Sequence, residues 1–266
     1  MMRQLQEHDR DSILNYLYQD PHRNIFPIGD IETFGFDQDF QQLYADFAED
    51  GSINSVFLRY RTNGIFYSIT HPSPRPYEAL IASLNLDYIS MVAPLADHWQ
   101  DVLSRYERSD MYFAVCDTGA AQGLHPASDV VLAKEDDMFG ALYDLFLLVP
   151  EFHIDLQTKN EYIESKRKST QMGVTLCRIK DDLVLSTVAT TAETTRSAMV
   201  VSVATHPGHR HQGHASELLQ DLILRYRDKG KDLCLFYDNP DAGRIYRRLG
   251  FQEDGMWTIY RRRTTQ

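Results

Sequence analysis

Residues 198–216 carry the side chains best suited to chemistry, and that chemistry is the binding of a phosphorylated anion. Val200 to Ala204 is an apolar, β-branched run, which predicts a buried strand. Pro207-Gly208 predicts a turn. A polar loop follows, Arg210-His211-Gln212-Gly213-His214-Ala215, and from Ala215 onward the pattern turns helical. The unpaired N–H groups of a first helical turn, and the helix dipole, favour negative charge at such a point. Gly213 lacks the Cβ that would hold a pyrophosphate off the backbone. Arg210 adds a fixed positive charge and a fork of donors. Four histidines (His206, His209, His211 and His214) crowd the same stretch. A metal needs side chains that converge on one point, whereas this loop is expected to turn its backbone inward, so no metal is assigned.

The neighbouring elements have to present that loop. Leu218, Leu219, Leu222, Ile223 and Tyr226 continue from Ala215 at helical spacing, toward a stop near Gly230. Leu233 to Tyr237 predicts a strand, and Asn239-Pro240-Asp241 the start of a last helix whose apolar face is Ala242, Ile245, Tyr246 and Leu249. Upstream, 172–180 and 183–191 predict an antiparallel pair, 137–148 and 159–168 two helices, and 129–133 a strand. The first half is a mixed α/β unit. Residues 1–50 read as mainly helical, with helices over 12–18 and over 39–47, the latter placing Phe40, Leu43, Tyr44 and Phe47 on one face. Runs 55–60 and 65–70 predict a hairpin turning at Asn63-Gly64, ended by Pro72, Pro74 and Pro76. A short helix over 77–84, strands over 86–93 and 111–117, and a helix over 97–107 complete this half. The Gly119–Gly123 turn with His125-Pro126 sets a boundary between a domain at 1–125 and one at 126–266. Both halves share a coarse order of hairpin, strand, helix and strand, consistent with a degenerate duplication.

The 266 residues carry a net charge of −11, unevenly placed. Residues 1–125 hold eight arginines, no lysine and eighteen carboxylates, while residues 206–266 hold eleven basic against eight acidic side chains. The whole chain would repel nucleic acid, and its basic excess near the loop suits a compact anion. No apolar run is long enough to span a bilayer, and the first residues lack the apolar stretch of a signal peptide. Cys116, Cys177 and Cys234 lie in strand-like runs and predict buried thiols of a cytoplasmic protein rather than a disulfide framework.

Arg210-His211-Gln212-Gly213-His214-Ala215 resembles the acyl-CoA signature of the GCN5-related N-acetyltransferase (GNAT) superfamily: Arg or Gln, two residues, Gly, one residue, then Gly or Ala. Asn239 to Phe251 resembles that family's second signature, and the two stand in order with a helix and a strand between them. The resemblance covers roughly 126–264. It implies an α/β (α+β) acyl-CoA N-acyltransferase fold, a mixed twisted sheet splayed at its central strand and flanked by helices, here preceded by a smaller α/β domain that is itself a candidate degenerate GNAT-like unit. It implies acetyl-CoA as cosubstrate, with the backbone around Val203 and Thr205 on the pantetheine arm and thioester carbonyl. The N–H groups of His211, Gln212, Gly213, His214, Ala215 and Ser216 then cradle the pyrophosphate, and Asn239 reaches the arm. Tyr246 takes the position that commonly protonates the departing thiolate.

The function expected from this resemblance is direct transfer of an acetyl group to a primary amine of a small molecule or peptide. A fixed backbone donor would stabilise the developing oxyanion, and a phenol would protonate the leaving group. The central strand holds no carboxylate, so Glu193 is the candidate base, with Glu161 and Glu164 as lesser ones. The alternatives are a non-catalytic acyl-CoA-binding module on the same fold, and a transferase for longer acyl or aminoacyl groups. The acidic first half is a candidate for shaping the acceptor site or a homodimer interface. Arg247-Arg248 and Arg261-Arg262-Arg263 are candidates for the ribose phosphate, with a solvated face as the plainer reading.

Overall fold

The computed structural model of the chain describes residues 1–70, 73–152, 157–169 and 173–263. The predicted roles of Pro72 as a strand terminator and of Met172 as a strand start lie outside the described residues. The chain divides into two compact units. The first comprises Met1–Phe113 with Phe236–Asp238 and the segment from Glu253 onward. The second comprises Ala114–Leu235 with Asn239–Gln252.

In chain order the first set of elements is β1 (Met2–Gln4), α1 (Arg10–Leu17), α2 (Ile25–Phe34), β2 (Gln41–Phe47), β3 (Ile53–Tyr60), β4 (Asn63–Ser68), α3 (Glu78–Ser83), β5 (Tyr88–Val92), α4 (Ala93–Ala96) and β6 (Tyr106–Cys116). The second set is β7 (Val130–Leu132), α5 (Asp136–Leu147), α6 (Lys159–Ser169), β8 (Thr175–Lys180), β9 (Leu183–Thr191), β10 (Ser197–Thr205), α7 (His214–Asp228), β11 (Asp232–Tyr237), α8 (Pro240–Arg248) and β12 (Gln252–Arg262). The two sets match element for element. In each, three antiparallel strands are followed by a helix and then by a strand that pairs parallel with the third, β4 with β5 and β10 with β11. The coarse repeat of the sequence is thus a full structural one.

The first unit orders its strands β1-β2-β3-β4-β5-β12-β6, the last strand of the chain pairing antiparallel with β5. Both faces of this sheet are covered. Ile13, Leu17, Ile28 and Ile31 of α1 and α2 pack with Leu43, Ala45, Val56 and Leu58, while Tyr77, Ile81 and Trp99 pack with Phe57, Phe66, Ile89 and Met91. Double coverage explains why Val56, Phe57 and Leu58 are buried in succession.

Three local expectations in this unit are corrected. Gln41–Phe47 is a strand, not a helix: Gln41, Leu43 and Ala45 are buried in alternation, and pairing with β3 outweighs a spacing that also fits one helical face. The hairpin turns at Arg61-Thr62, with Arg61 at φ +53°, and Asn63 already pairs with Tyr60. Gly64 instead permits close packing, since a Cβ there would meet the Phe57 ring at 2.6 Å. Of residues 97–107 only Asp97–Trp99 are helical, as a single 3-10 turn that buries Trp99 directly after α4, and Tyr106 already opens β6.

The second unit orders its strands β11-β10-β9-β8-β7. Phe139, Leu142 and Phe146 of α5 and Tyr162 of α6 pack with Cys177, Val184 and Ala204. The α7 stripe, Leu218, Leu219, Leu222, Ile223 and Tyr226, is fully buried, and the helix lies along β8, β9 and β10. The three cysteines are buried free thiols. Among the described residues no helix is long and apolar enough to cross a membrane.

Candidate functional site

The site begins with an irregularity in β10. Its antiparallel register with β9 runs to Val201↔Ala189 and resumes at Ala204↔Thr187, so one residue of β10 is extra. Ser202, at φ +57°, takes up this bulge. Bulges bend a strand and increase its twist. On the other edge, the parallel ladder with β11 covers Ser197 to Met199 against Asp232 to Cys234 and then stops. Among the described residues no strand continues that pairing along Val200–Thr205. The edge therefore offers unpaired backbone groups to an extended ligand, as a sheet edge does to an added strand. Val201, Ser202 and Val203 are half-buried there. The Thr205 hydroxyl meets Ser186 Oγ at 3.0 Å, on the strand that pairs with the other edge of β10.

Beyond Thr205, Pro207–His209 makes a 3-10 turn whose Gly208 N–H donates to His206 Nδ1 at 3.1 Å. Two left-handed residues follow, His211 at φ +62° and Gly213 at φ +85°. Histidine is among the few side chains that tolerate this region, and glycine has no penalty there. Such reversals turn successive N–H groups inward to form an anion-binding concavity. A Cβ on Gly213 would have one atom within 4 Å, Glu217 Oε1 at 3.7 Å, so the space before it is open.

Gly213 is the N-cap of the fifteen-residue α7 and contributes no side-chain cap. The first intrahelical bond runs from Glu217 N to Gly213 O at 3.0 Å. The N–H groups of His214, Ala215 and Ser216 therefore point out of the helix at its positive end. Arg210 is exposed, its Nε 3.5 Å from Thr205 O. Arg248 of α8 donates to Ser216 Oγ at 2.9 Å, which puts a second guanidinium on the first turn of α7. The sequence signal for Arg248 was only its place in an Arg-Arg pair, and its approach to Ser216 is a tertiary fact.

The other nominated residues are distributed unevenly. Asn239 is the N-cap of α8, its Oδ1 accepting from Asp241 N at 2.9 Å, and it is exposed. Tyr246 lies on the buried face of α8, its ring 5.8 Å from Phe251. Glu193 is not brought to the loop. It lies before the start of β10, and the loop follows its end, about 25 Å away for a nine-residue strand. Its carboxylate accepts from Tyr226 Oη at 2.8 Å, Lys231 Nζ at 2.8 Å and Lys229 Nζ at 3.1 Å. Burial alone would raise this carboxyl, but the hydrogen bonds from Lys231, Tyr226 and Lys229 outweigh it and hold it below the ordinary range. A carboxylate so stabilised is a poor base. Glu161 is likewise engaged, its carboxylate accepting from Thr158 N and Oγ1, each at 2.7 Å, at the start of α6.

The histidines have separate partners. His206 and His209 meet ring to edge at 5.3 Å, whereas His214 turns toward Arg178. Among the described residues no three His, Cys, Asp or Glu side chains are grouped to hold a metal ion.

Residues 157–253 match the model of the family described as Acetyltransferase (GNAT) domain, a span containing β8 to α8 and the loop between β10 and α7. No curated protein matches the chain. Among solved structures, a Drosophila protein is similar over 98% of this chain and 98% of its own, at 12% identity and a TM-score of 0.70. A GCN5-related N-acetyltransferase-like protein from Streptococcus suis is similar over 97% of this chain and 100% of its own, at 16% identity and a TM-score of 0.60. A tandem GNAT protein of the clavulanic acid biosynthesis pathway is similar over 100% and 99%, at 12% identity and a TM-score of 0.59. At these identities the likeness is one of fold, and it extends over both units.

Proposed function

We propose that the protein transfers an acetyl group from acetyl-CoA to an acceptor amine, from the premise that residues 157–253 match a GNAT acetyltransferase domain and that the first set of elements repeats the second. One observation carries the reading: a path of backbone that, among the described residues, no strand covers on the β11 side of β10, β9 pairing with its other edge. It runs along β10 from Val200 to Thr205, through the left-handed residues His211 and Gly213, and into the uncapped first turn of α7. An acyl-CoA presents groups in the matching order, a thioester, an amide-bearing arm and a pyrophosphate.

In this reading the backbone around Val203 and Thr205 bonds the thioester carbonyl and the arm. The N–H groups of His211, Gln212, Gly213, His214, Ala215 and Ser216 bond the pyrophosphate, with Arg210 and Arg248 supplying positive charge. Asn239 meets the arm from its capping position. The neutral amine attacks the carbonyl carbon, the C–S bond breaks as the amide forms, the proton lost by the attacking nitrogen passes to solvent, and Tyr246 gives the departing sulfur its proton and is reprotonated from solvent. Backbone donors on β10 stabilise the oxyanion between those events. The test is thiol release from acetyl-CoA across a panel of amines, together with calorimetry. A chain that binds no acetyl-CoA refutes the reading. Tyr246→Phe is expected to lower kcat by about 10²-fold with KM unchanged, and full activity at every pH would remove Tyr246 from its role.

A second reading, a non-catalytic acyl-CoA-binding module, is favoured by the engagement of Glu193 and Glu161 in structural contacts, which leaves neither free as a base. Tight acetyl-CoA binding without turnover on any amine would select it. A series of thioesters of increasing chain length separates acetyl transfer from transfer of longer acyl groups.

A further inference from the structure

We propose that Arg178 is a positioning residue for acyl-CoA: it tethers the Glu217 carboxylate and the His214 imidazole on the β8 side of the first turn of α7, so that the carboxylate does not fold over the first-turn N–H groups that would meet the pyrophosphate. The inference rests on the acyl-CoA reading above.

Glu217 is the acidic residue of the first turn of α7. A carboxylate there is drawn to the same N–H groups and dipole that draw a phosphate. One of its oxygens already lies 3.7 Å from where a Cβ on Gly213 would stand. The loop therefore carries its own competitor, an anion tethered four residues beyond the glycine.

Arg178, on β8, restrains it. Its side chain is 13% exposed and pairs with Glu217 Oε2. It also donates to His214 Nδ1 at 3.1 Å and to Ser128 O at 2.8 Å, the second of these fixing it to the segment before β7. A guanidinium only donates, so His214 Nδ1 accepts and the ring proton is on Nε2. Arg178 Nε and His214 Nε2 are both buried without a hydrogen-bond partner. Unpaired buried donors are costly, and an apolar side chain in place of Arg178 would avoid that cost. Two of the three groups that Arg178 holds belong to the first turn of α7, and one of them is the competing anion. Removing the guanidinium frees Glu217 to swing over its own helix terminus and leaves its charge facing the pyrophosphate.

The experiment compares the full-length wild type with Arg178→Met, Glu217→Gln and the double variant. Calorimetry with CoA is combined with kinetics on acetyl-CoA and on S-acetylpantetheine, which lacks the pyrophosphate. Arg178→Met is expected to raise Kd for CoA and KM for acetyl-CoA by about tenfold, the scale of one charge contact at a helix terminus. Its kcat, and its kcat/KM for S-acetylpantetheine, should stay at wild-type values. The double variant should recover CoA binding, and Glu217→Gln alone should bind CoA at least as tightly as wild type. Equal CoA binding by wild type and Arg178→Met overturns the inference, as does an equal loss on both thioesters, which would mark a structural role. Should Arg178→Met be recovered unfolded, Glu217→Gln decides: weakened CoA binding overturns the inference. A wild type that binds no CoA instead overturns the acyl-CoA reading, and the inference with it.

Discussion

Glu193→Gln separates a stabilising carboxylate from a catalytic one. Three donors converge on Glu193: Tyr226 Oη and Lys231 Nζ, each at 2.8 Å, and Lys229 Nζ at 3.1 Å. Glu193 and Lys231 are each 20% exposed, so their charge-assisted bond and that from Tyr226 together contribute about 2 kcal/mol. Lys229 is 41% exposed and adds no more than about 0.5 kcal/mol after screening. In the variant, Tyr226 keeps Thr190 Oγ1 at 2.7 Å, so no buried hydroxyl is orphaned. The expected loss is about 2 kcal/mol, or roughly 4–8 °C in Tm. The pH dependence follows from the direction of the shift. The folded-state pKa is lowered, so the stabilisation is complete above the unfolded glutamate value and is lost as pH falls through the folded value. Thermal unfolding at pH 7 and under acid conditions, with kcat measured on the same samples, checks this. Stability should fall at pH 7, the gap should close in acid, and kcat should stay within about threefold of wild type, far from the 10²–10⁴-fold of a lost base. A hundredfold fall in kcat with unchanged Tm would refute the reasoning and return Glu193 to the chemistry.

Gly213→Ala is expected to cost about 1 kcal/mol for left-handed strain without a clash, and to weaken CoA binding because the new Cβ enters the loop. Gly230→Ala, at φ +66° with nothing within 4 Å of a new Cβ, should show the same Tm loss in denaturation and no change in CoA calorimetry. Arg248→Ala should raise KM for acetyl-CoA by roughly 3- to 10-fold in steady-state kinetics with kcat unchanged, since it removes an exposed cation and its bond to Ser216. Arg3 above all, with the Gln6 N–H, holds the Asp9 carboxyl down at about 2. Asp9→Asn should therefore lose roughly 1 kcal/mol at pH 7, discounted because Arg3 is 45% exposed. By urea titration that deficit should shrink as pH falls from the unfolded aspartate value toward about 2.

The elements nearest the loop were legible because their causes are short-range. The α7 stripe from Leu218 to Tyr226, the Asn239 cap and the Asp181-Asp182 turn each depend on residues within one or two turns of one another. Gln41–Phe47 was not, because its apolar spacing satisfies both a helical face and a paired strand, and only the partner β3 decides between them. The same limit applies to Glu193, whose nearness in sequence to β10 suggested chemistry, while Lys229, Lys231 and Tyr226 arrive from more than thirty residues away.

By itself the sequence determined a strand, a glycine-bearing loop and a helix in the right order for an anion, since those depend on local conformation and on which residues tolerate left-handed backbone. Tertiary structure decided what surrounds that loop. The bulge at Ser202, the end of the β10–β11 ladder after Met199, and the return of β12 to the first unit arise from strand pairing across long separations. The Arg248–Ser216 bond and the Arg178 clamp on Glu217 and His214 join side chains 32 to 39 residues apart, and only the packed chain brings such charges together.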